Sequence, residues 1–278
     1  MPFRRTKNKV RRRQAALGFL AGLPPGRVLD APCGDGALAR ELAARGWRTC
    51  AADIEPVRFD RVDGVRFTRL DLEEPLPFAD ESFDAVVSLE GVEHLLSPAR
   101  CLAEFCRVLR PGGVLVLTTP NINNVQSRWH YLVGGRFSGF RPVTRRALAA
   151  PDTHAIVHVT PPYLPTIVYI LSRHGVAVER IDVTMVRSRQ WLALPLAFPI
   201  WLSARRAPAG TIARTLGSFM LLLGRNVILQ GVKQGPDHPP LRRGGSASEA
   251  SRGGVPGLSP LPPSPQAPAR GRGFSEQS

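Results

Sequence analysis

VLDAPCGDG, residues 28–36, is the stretch that decides the fold. Its first three residues suit a buried strand, and the glycines at 34 and 36 suit a tight turn before a helix that begins near Ala37. A strand, a glycine turn and a helix N-terminus together present backbone N–H groups to a ligand. Pro32 adds a difficulty, because proline fixes φ and donates no hydrogen bond. Taken alone, the turn is a weak signal.

The pattern of this stretch repeats along the chain to residue 120. Short β-branched runs alternate with helical stretches, which predicts parallel strands covered by helices on both faces. The predicted strands are RVLD, WRTCAAD, VRFTRL, FDAVVSL and VLVLTTP, with helices over GALARELAARG and SPARCLAEFCRVLRPGG. After Pro120 we predict a helix over YLPTIVYILSRHG and two strands, VAVERIDVTMV and NVILQGVK.

Charge and composition divide the 278 residues into segments. Residues 1–13 carry seven basic and no acidic side chains, and residues 121–233 carry 14 basic and three acidic ones within a net charge of +15. This asymmetry favours an anionic partner, either a membrane surface or nucleic acid, although arginine is often simply solvated. We expect a basic N-terminal arm (1–13), one domain (14–233) and a disordered tail (234–278) rich in Gly, Pro, Ser and Arg. Four cysteines without paired CxxC spacing fit a reduced, cytoplasmic compartment.

Carboxylates follow the next two strands. Asp53 ends the second strand, 19 residues after Gly34, where it could accept hydrogen bonds from both hydroxyls of a ribose. Asp71 and Leu72 follow the third strand, in position to meet an adenine edge. The order of these motifs makes the glycine turn a stronger signal than it is alone.

In this order the motifs resemble the class I S-adenosylmethionine-dependent methyltransferases, in particular the type 11 small-molecule group that includes ubiquinone-pathway enzymes. VLDAPCGDG resembles the first motif, AADIEP the second, RLDLEEPLPFADESFDAVVSLEGVEHL the third and fourth, and VLRPGGVLVLTTPN the fifth. The resemblance implies an α/β, Rossmann-like sheet of seven mostly parallel strands in the order 3-2-1-4-5-7-6. It also implies helices on both faces and S-adenosylmethionine as the cofactor. A hydrophobic helical insertion would precede the last strand.

The resemblance also assigns residues to the cofactor. It gives Asp30 to the methionine amino group, Asp53 to the ribose and Asp71 with Leu72 to the adenine. The family pattern has glycine at position 32, so Pro32 removes one possible backbone donor and leaves the two later glycines for close approach. The expected cofactor set is Asp30, Pro32, Gly34, Gly36, Asp53, Ile54, Asp71, Leu72 and Glu90.

EGVEH, residues 90–94, follows the fourth strand, where the methyl group is expected. Methyl transfer from an activated sulfonium needs an aligned acceptor and removal of its proton. Glu90, Glu93 and His94 have three open interpretations: structural or cofactor contacts, a general-base cluster, or, least favoured, ligands of a divalent metal as in ubiquinone-pathway O-methyltransferases. His154 and His158 are secondary candidates for catalysis.

Two later segments are candidates for recognising the acceptor and the membrane. Residues 121–160 read as a substrate loop, with Asn121, Arg128, Trp129, Tyr131 and Arg136 as candidate binding residues. Residues 187–224 hold two apolar runs, WLALPLAFPIWL and TLGSFMLLLG, each too short to span a bilayer and each bracketed by arginines. This insertion suits interfacial contact with an anionic membrane; a helical cap or a dimer interface would bury the same residues. The oligomeric state is left open.

These observations lead to three hypotheses. The first is methyl transfer to an oxygen of a small-molecule or lipid-linked acceptor by a cytoplasmic protein, peripheral on the inner face of the membrane. The second is an RNA methyltransferase that uses the basic segment KNKVRRR, which lacks the interleaved aromatic residues of many nucleic-acid surfaces. The third is a catalytically inactive, membrane-associated assembly factor that keeps the fold.

Overall fold

The computed structural model describes residues 2–55, 64–140, 157–186 and 188–235, with the backbone alone at residues 2–7 and 188–189. Residues 236–278 of the predicted tail, His154 and the central part of the predicted substrate loop lie outside the described residues.

A seven-stranded sheet forms the centre of the fold, in the order β3-β2-β1-β4-β5-β7-β6. Neighbouring strands from β3 to β5 are parallel, and β7 is antiparallel to both β5 and β6. The predicted fold class and strand order are therefore confirmed. The strands are β1 Arg27–Asp30, β2 Arg48–Asp53, β3 Val65–Arg69, β4 Phe83–Leu89, β5 Leu109–Pro120, β6 Val176–Val183 and β7 Asn226–Lys233.

Helices connect and flank these strands. They are α1 Pro2–Leu20, α2 Ala37–Ala43, α3 Pro98–Val108, α4 Val125–Gly134, α5 Leu164–Arg173, α6 Leu194–Arg205, α7 Ile212–Leu216 and α8 Phe219–Leu223, with 3₁₀ helices at Val92–His94 and Ser188–Ala193. The predicted insertion forms the second 3₁₀ helix and α6 to α8, between β6 and β7.

Successive residues of β1 pack on opposite faces of the sheet, because side chains alternate along a strand. Leu29 belongs to a core cluster with Phe83 and Phe105, whereas Val28 packs with Leu17 of α1. Both faces of the central strands are therefore buried, as the apolar runs in the sequence indicate.

Two element boundaries differ from the sequence prediction. The predicted helix over residues 97–113 ends at Val108, and β5 begins at Leu109 and includes RPGG, with a register shift between Phe83 and Ala85 of β4. Pro111 disfavours helical φ/ψ at Arg110, so the strand starts earlier than the hydrophobic run suggests. The basic residues 2–13 are not a separate element, since α1 runs continuously through them into the core.

Candidate functional site

The glycine turn between β1 and α2 is fixed by backbone hydrogen bonds on both sides of Pro32. Ala31 N donates to Val87 O at 3.0 Å, and Cys33 N donates to Ala52 O at 2.8 Å. The two glycines after Pro32 have φ of +52° and +66°, which a side chain would strain. Pro32 thus stands between residues whose own N–H groups anchor the turn, and the turn forms without a donor at that position.

Asp53 joins the end of β2 to this turn. Its Oδ2 accepts a hydrogen bond from Gly34 N at 2.8 Å, and its Oδ1 accepts one from Glu55 N at 3.2 Å. The carboxylate therefore sets the position of the glycine turn in addition to its expected role toward a ribose.

Asp30 is a buried carboxyl group under the turn. Its side chain is 1% exposed, and Oδ2 has no hydrogen-bond partner among the described residues. Burial raises the pKa of Asp30 well above its usual value, and the nearby charges of Asp53 and Asp35 raise it further, against a backbone N–H at Ala39. An ammonium group would satisfy this oxygen, and a Cβ at Gly34 would meet only open space. The turn therefore fits the methionine end of S-adenosylmethionine.

The other expected cofactor residues lie at the same edge of the sheet. Asp53 is in register with Arg69 at the end of β3, and Asp71 follows two residues later with its Oδ1 accepting from Glu73 N at 2.9 Å. Ile54 is 46% exposed beside this edge, and Leu72 is buried. The carboxyl ends of β1, β2 and β3 thus bring the expected ribose and adenine residues to the glycine turn.

Helix α1 makes ion pairs with this site, which the sequence analysis did not anticipate. Arg12 Nη1 lies 2.7 Å from Glu90 Oε2, and Lys9 Nζ lies 3.3 Å from Asp35 Oδ2 within the glycine turn. Arg13 pairs with Glu41 of α2. Lys9, Arg12 and Arg13 lie three and four residues apart, the spacing of one helix face, and this spacing was the signal available in the sequence.

Glu90 follows β4 with a φ of +57° and is held by several donors. Asn226 Nδ2 lies 2.8 Å from both of its carboxylate oxygens, and Thr118 Oγ1 donates weakly at 3.4 Å. Burial raises the pKa of Glu90, while the Arg12 charge and the Asn226 hydrogen bonds oppose that rise. Its oxygens are occupied by the protein itself.

Glu93 and His94 meet His158 at the other side of the 90–94 segment. Donor atoms from the three side chains lie within 4.8 Å of one another, and the two imidazole rings meet edge to face with centroids 4.8 Å apart. His94 Nδ1 is 3.0 Å from Val157 O, so Nδ1 carries the proton of the neutral ring and Nε2 keeps its lone pair. The residues brought together are therefore Glu93, His94 and His158, and Glu90 is not part of this group.

Glu93 is fully buried, with one oxygen engaged and one without a partner. Oε2 accepts from Thr119 Oγ1 at 3.2 Å, and Oε1 has no hydrogen-bond partner among the described residues. Burial raises the pKa of Glu93 well above its usual value, and the Glu90 charge raises it further. Burial lowers the pKa of His94, against the hydrogen bond to Val157. The cluster therefore combines a carboxyl group of high proton affinity with a neutral imidazole.

The same donor set suits a divalent cation. Glu93, His94 and His158 would hold it, and it would supply Lewis-acid polarisation of an acceptor oxygen. This set differs from the Glu90, Glu93 and His94 set that the sequence spacing suggested.

The candidate acceptor residues separate into two environments. Asn121 is buried, and its Nδ2 donates to Leu221 O at 2.7 Å and to Gly224 O at 2.9 Å, which ties the end of β5 to the insertion. Arg128 Nε donates to Asn123 O at 2.7 Å. Trp129 and Tyr131 are more than half exposed on α4, and Arg136 follows that helix on the surface.

Gly91 connects the glycine turn to the 90–94 segment. A Cβ at Gly91 would lie 2.5 Å from Pro32 Cδ and 3.2 Å from Ser88 Oγ. We expect Gly91→Ala to lower the free energy of unfolding by about 1–3 kcal/mol, because the proline ring and the strand cannot both move away. Urea unfolding would measure this.

Gly18→Ala is the matched control for that variant. Gly18 is exposed in the last turn of α1, and a Cβ there would meet nothing within 4 Å. It should raise the free energy of unfolding by about 0.5–1 kcal/mol through helix propensity. Equal stability of Gly91→Ala and wild type would show that Pro32 does not pack as described.

Comparisons with known proteins give a consistent result for this region. Residues 29–117 match a family model described as a methyltransferase domain. The chain is 35% identical over 125 residues to a ubiquinone biosynthesis O-methyltransferase from Hahella chejuensis, covering 42% of this chain and 52% of that protein. It is 29% identical over 152 residues to a ubiquinone/menaquinone biosynthesis C-methyltransferase from Geotalea daltonii, covering 46% of this chain and 64% of that protein.

The solved structures extend the likeness in fold. An S-adenosylmethionine-dependent methyltransferase from Mesorhizobium loti superposes with a TM-score of 0.50 at 17% identity, covering 79% of this chain and 96% of that one. At this identity the likeness concerns the fold alone. The chain spans about half the length of the first curated relatives that it matches.

Proposed function

We propose that this protein, whose residues 29–117 match a methyltransferase domain model, transfers a methyl group from S-adenosylmethionine to an oxygen of a small-molecule or lipid-linked acceptor. One observation carries the proposal. A buried Asp30 oxygen without a hydrogen-bond partner among the described residues lies beside a glycine turn that Asp53 holds in place. The named relatives methylate either oxygen or carbon, so the choice of oxygen rests on the base cluster of this chain.

The residues at the carboxyl edge of the sheet bind and orient the cofactor. Asp30 takes its ammonium group, Asp53 its ribose hydroxyls, and Asp71 with Leu72 its adenine. When bound, the cofactor supplies a methyl group on a positively charged sulfur that needs no further activation. The protein then has to align the acceptor in line with that bond and exclude water.

Glu93 acts as the proton acceptor for the acceptor hydroxyl. Its Oε1 is the unpartnered oxygen of the cluster, and a carboxylate whose pKa is raised by burial is a stronger base near neutral pH. His94, kept neutral by burial, lines the same place and hydrogen-bonds the acceptor through Nε2. Glu90, which is paired with Arg12 and hydrogen-bonded by Asn226, holds the segment that carries both residues.

Transfer of labelled methyl groups tests the proposed function. The protein would be incubated with methyl-labelled S-adenosylmethionine and a native extract of lipids and small metabolites, and products would be identified by mass. We expect label in an O-methylated product, in a reaction unchanged by a chelator. Loss of transfer on chelation would assign Glu93, His94 and His158 to a cation, and no transfer to any fraction by folded protein would favour an inactive assembly factor.

We further propose that the insertion contacts an anionic membrane surface. Ala197, Leu222 and Leu223 pack inward against Val125, while other apolar side chains face outward. The outward side chains include Trp191 and Met220, which are 54% and 51% exposed, and Leu192, Leu196 and Phe198. Arg205 lies over the ring of Trp201 at 4.7 Å, a cation beside the apolar surface. No helix among the described residues has the length and hydropathy needed to cross a bilayer.

Liposome flotation tests the membrane proposal. The triple variant Leu192→Ser, Leu196→Ser and Phe198→Ser removes outward apolar side chains and leaves the buried residues Ala197, Leu222 and Leu223 unchanged. We expect at least about a tenfold loss of binding to vesicles that contain phosphatidylglycerol, since each side chain contributes about 1.5–3 kcal/mol when fully buried. Leu96→Ser, at an 80% exposed position outside the insertion, is the matched control. Full retention by the triple variant would refute contact through the insertion.

A further inference from the structure

A cavity of about 590 Å³ lies at the amino ends of β1 to β4, at the opposite edge of the sheet from the glycine turn. Its lining includes the first residues of these strands, among them Arg27, Arg48, Val65 and Phe83. None of the residues assigned above to the cofactor, the base cluster or the acceptor lines it. The methyl-transfer site therefore leaves this cavity unexplained.

Three exposed arginines share one face of the sheet along this cavity. Arg27 and Arg48 are directly opposite each other on β1 and β2, and Arg66 on β3 is opposite Cys50, two residues along β2 from Arg48. Residues opposite each other, and residues two apart on one strand, point to the same face. Like charges in such positions repel, and solvent screens part of that repulsion because the three side chains are exposed.

No carboxylate among the described residues forms an ion pair with these three guanidinium groups. Asp84, at the start of β4, has Oδ1 at 2.6 Å from Arg110 Nε, and its Oδ2 accepts from the backbone N–H of Arg27 at 2.6 Å. The Arg27 guanidinium lies over the ring of Phe83 at 5.2 Å. The cavity is thus a concentration of positive charge that the described part of the chain does not neutralise.

The rest of the lining favours a ligand that has an apolar part in addition to its negative charge. Pro77 and the half-buried Phe78 form an apolar wall, and the buried Phe83 packs edge to face behind Phe78 with ring centroids 5.0 Å apart. The Thr68 hydroxyl lies 3.6 Å from the Cys50 sulfur on the same surface. Arginine guanidinium groups match the geometry of phosphate oxygens and can bind them bidentately. We propose that this cavity is a second ligand site, which binds a phosphomonoester with an aromatic or apolar portion.

In this arrangement Arg48 and Arg66 hold the phosphoryl group, and the Phe78 wall contacts the apolar portion. Phenyl phosphate is the simplest probe with both parts, and inorganic phosphate is the probe with the charge alone. Calorimetric titration of the full chain at constant ionic strength, balanced with chloride, should give saturable binding of phenyl phosphate. Phenyl phosphate should bind at least about tenfold more tightly than inorganic phosphate, because only the former buries apolar surface on the wall.

Variants that remove one arginine charge test the proposal by two measurements, which should change in opposite directions: ligand affinity should fall and the melting temperature should rise. Arg48→Gln and Arg66→Gln should each weaken phenyl phosphate binding by about tenfold or more. Each should also raise the melting temperature of the ligand-free protein, because one repelling charge is gone. Arg100→Gln, at an exposed position on α3, is the matched control and should change neither quantity. S-adenosylmethionine binding should remain unchanged in all three variants, which separates this proposal from the proposed function.

Three outcomes would overturn the proposal. The first is no binding of phenyl phosphate beyond that of chloride, and the second is an equal loss in Arg100→Gln. The third concerns Asp60 and Asp63, which lie in the undescribed segment between β2 and β3. The double variant Asp60→Asn, Asp63→Asn would be compared in two backgrounds, wild type and Arg48→Gln. If it lowered the melting temperature in wild type and had no effect in the Arg48→Gln background, carboxylates of the chain itself would neutralise the arginines, and no ligand would be needed.

Discussion

Glu93→Gln is expected to lower methyl transfer by about 10²–10⁴-fold and to leave S-adenosylmethionine binding within about threefold of wild type. The amide has the size of the carboxyl group and can still accept the hydrogen bond of Thr119, but it cannot take a proton. Single-turnover rates with the methylated product as readout would measure the effect. A rate near that of wild type would assign Glu93 to packing and remove it from the chemistry.

The same variant should change stability in a pH-dependent way. The pKa of Glu93 is raised in the fold, so its contribution to stability is present below its unfolded pKa and is lost as the pH rises through the folded pKa. Glutamine does not ionise and avoids that loss. Glu93→Gln should therefore melt above wild type at pH 8, with a smaller gap at pH 5.

Glu104→Gln is the control variant, for which we expect the opposite change in melting temperature. Hydrogen bonds from Arg107 hold the pKa of Glu104 below its usual value, so its contribution is present above the unfolded pKa and is lost as the pH falls through the folded pKa. This variant should melt below wild type at pH 8. A Glu93→Gln protein that also melted below wild type at pH 8 would contradict the account of a burial-raised carboxyl group.

Asp53→Ala is expected to weaken S-adenosylmethionine binding by at least about 100-fold. Hydrogen bonds to a charged acceptor contribute about 1.5–3 kcal/mol each, and about 1.4 kcal/mol corresponds to a factor of ten. Two ribose hydroxyls would lose their acceptor, and Gly34 N would lose the bond at 2.8 Å that positions the turn. Equilibrium dialysis with labelled cofactor would measure the ratio of dissociation constants.

Two further variants separate the contributions of Asp53. Asp53→Asn keeps an oxygen that can accept from Gly34 N but loses the charge, so its affinity should fall between those of wild type and the alanine variant. Asp35→Asn, in the same turn, loses an exposed ion pair with Lys9 and should bind the cofactor nearly as wild type does. Affinity unchanged in Asp53→Ala would remove this carboxylate from the cofactor site.

Features that are local in sequence could be predicted, and contacts between distant segments could not. The strand–turn–helix around VLDAPCGDG and the carboxylates after β2 and β3 follow from periodicity and turn chemistry, and the strand order follows from the motif resemblance. His94 meets Val157, 63 residues later, through a hydrogen bond that no periodicity encodes. Glu90 likewise meets Asn226 across 136 residues. Sequence spacing grouped Glu90 with Glu93, whereas the fold sends their side chains to different partners.

Two further differences have physical causes. Lys9, Arg12 and Arg13 belong to a helix whose apolar face packs on the sheet, so their charges pair with the site and do not remain free for an external partner. Asn121 looked like an acceptor-binding residue because it follows a strand at the carboxyl edge. Its amide instead satisfies two carbonyl groups at the end of α8, which the sequence alone could not place nearby.

Calorimetric titration of S-adenosylmethionine into the wild-type chain tests the central claim most directly. The claim is that the glycine turn, the unpartnered Asp30 oxygen and the Asp53 carboxylate form one cofactor site. We predict saturable heat with a stoichiometry of one cofactor per chain, retained in Glu93→Gln and lost in Asp53→Ala. Absence of saturable heat from folded wild-type protein at millimolar cofactor would contradict it.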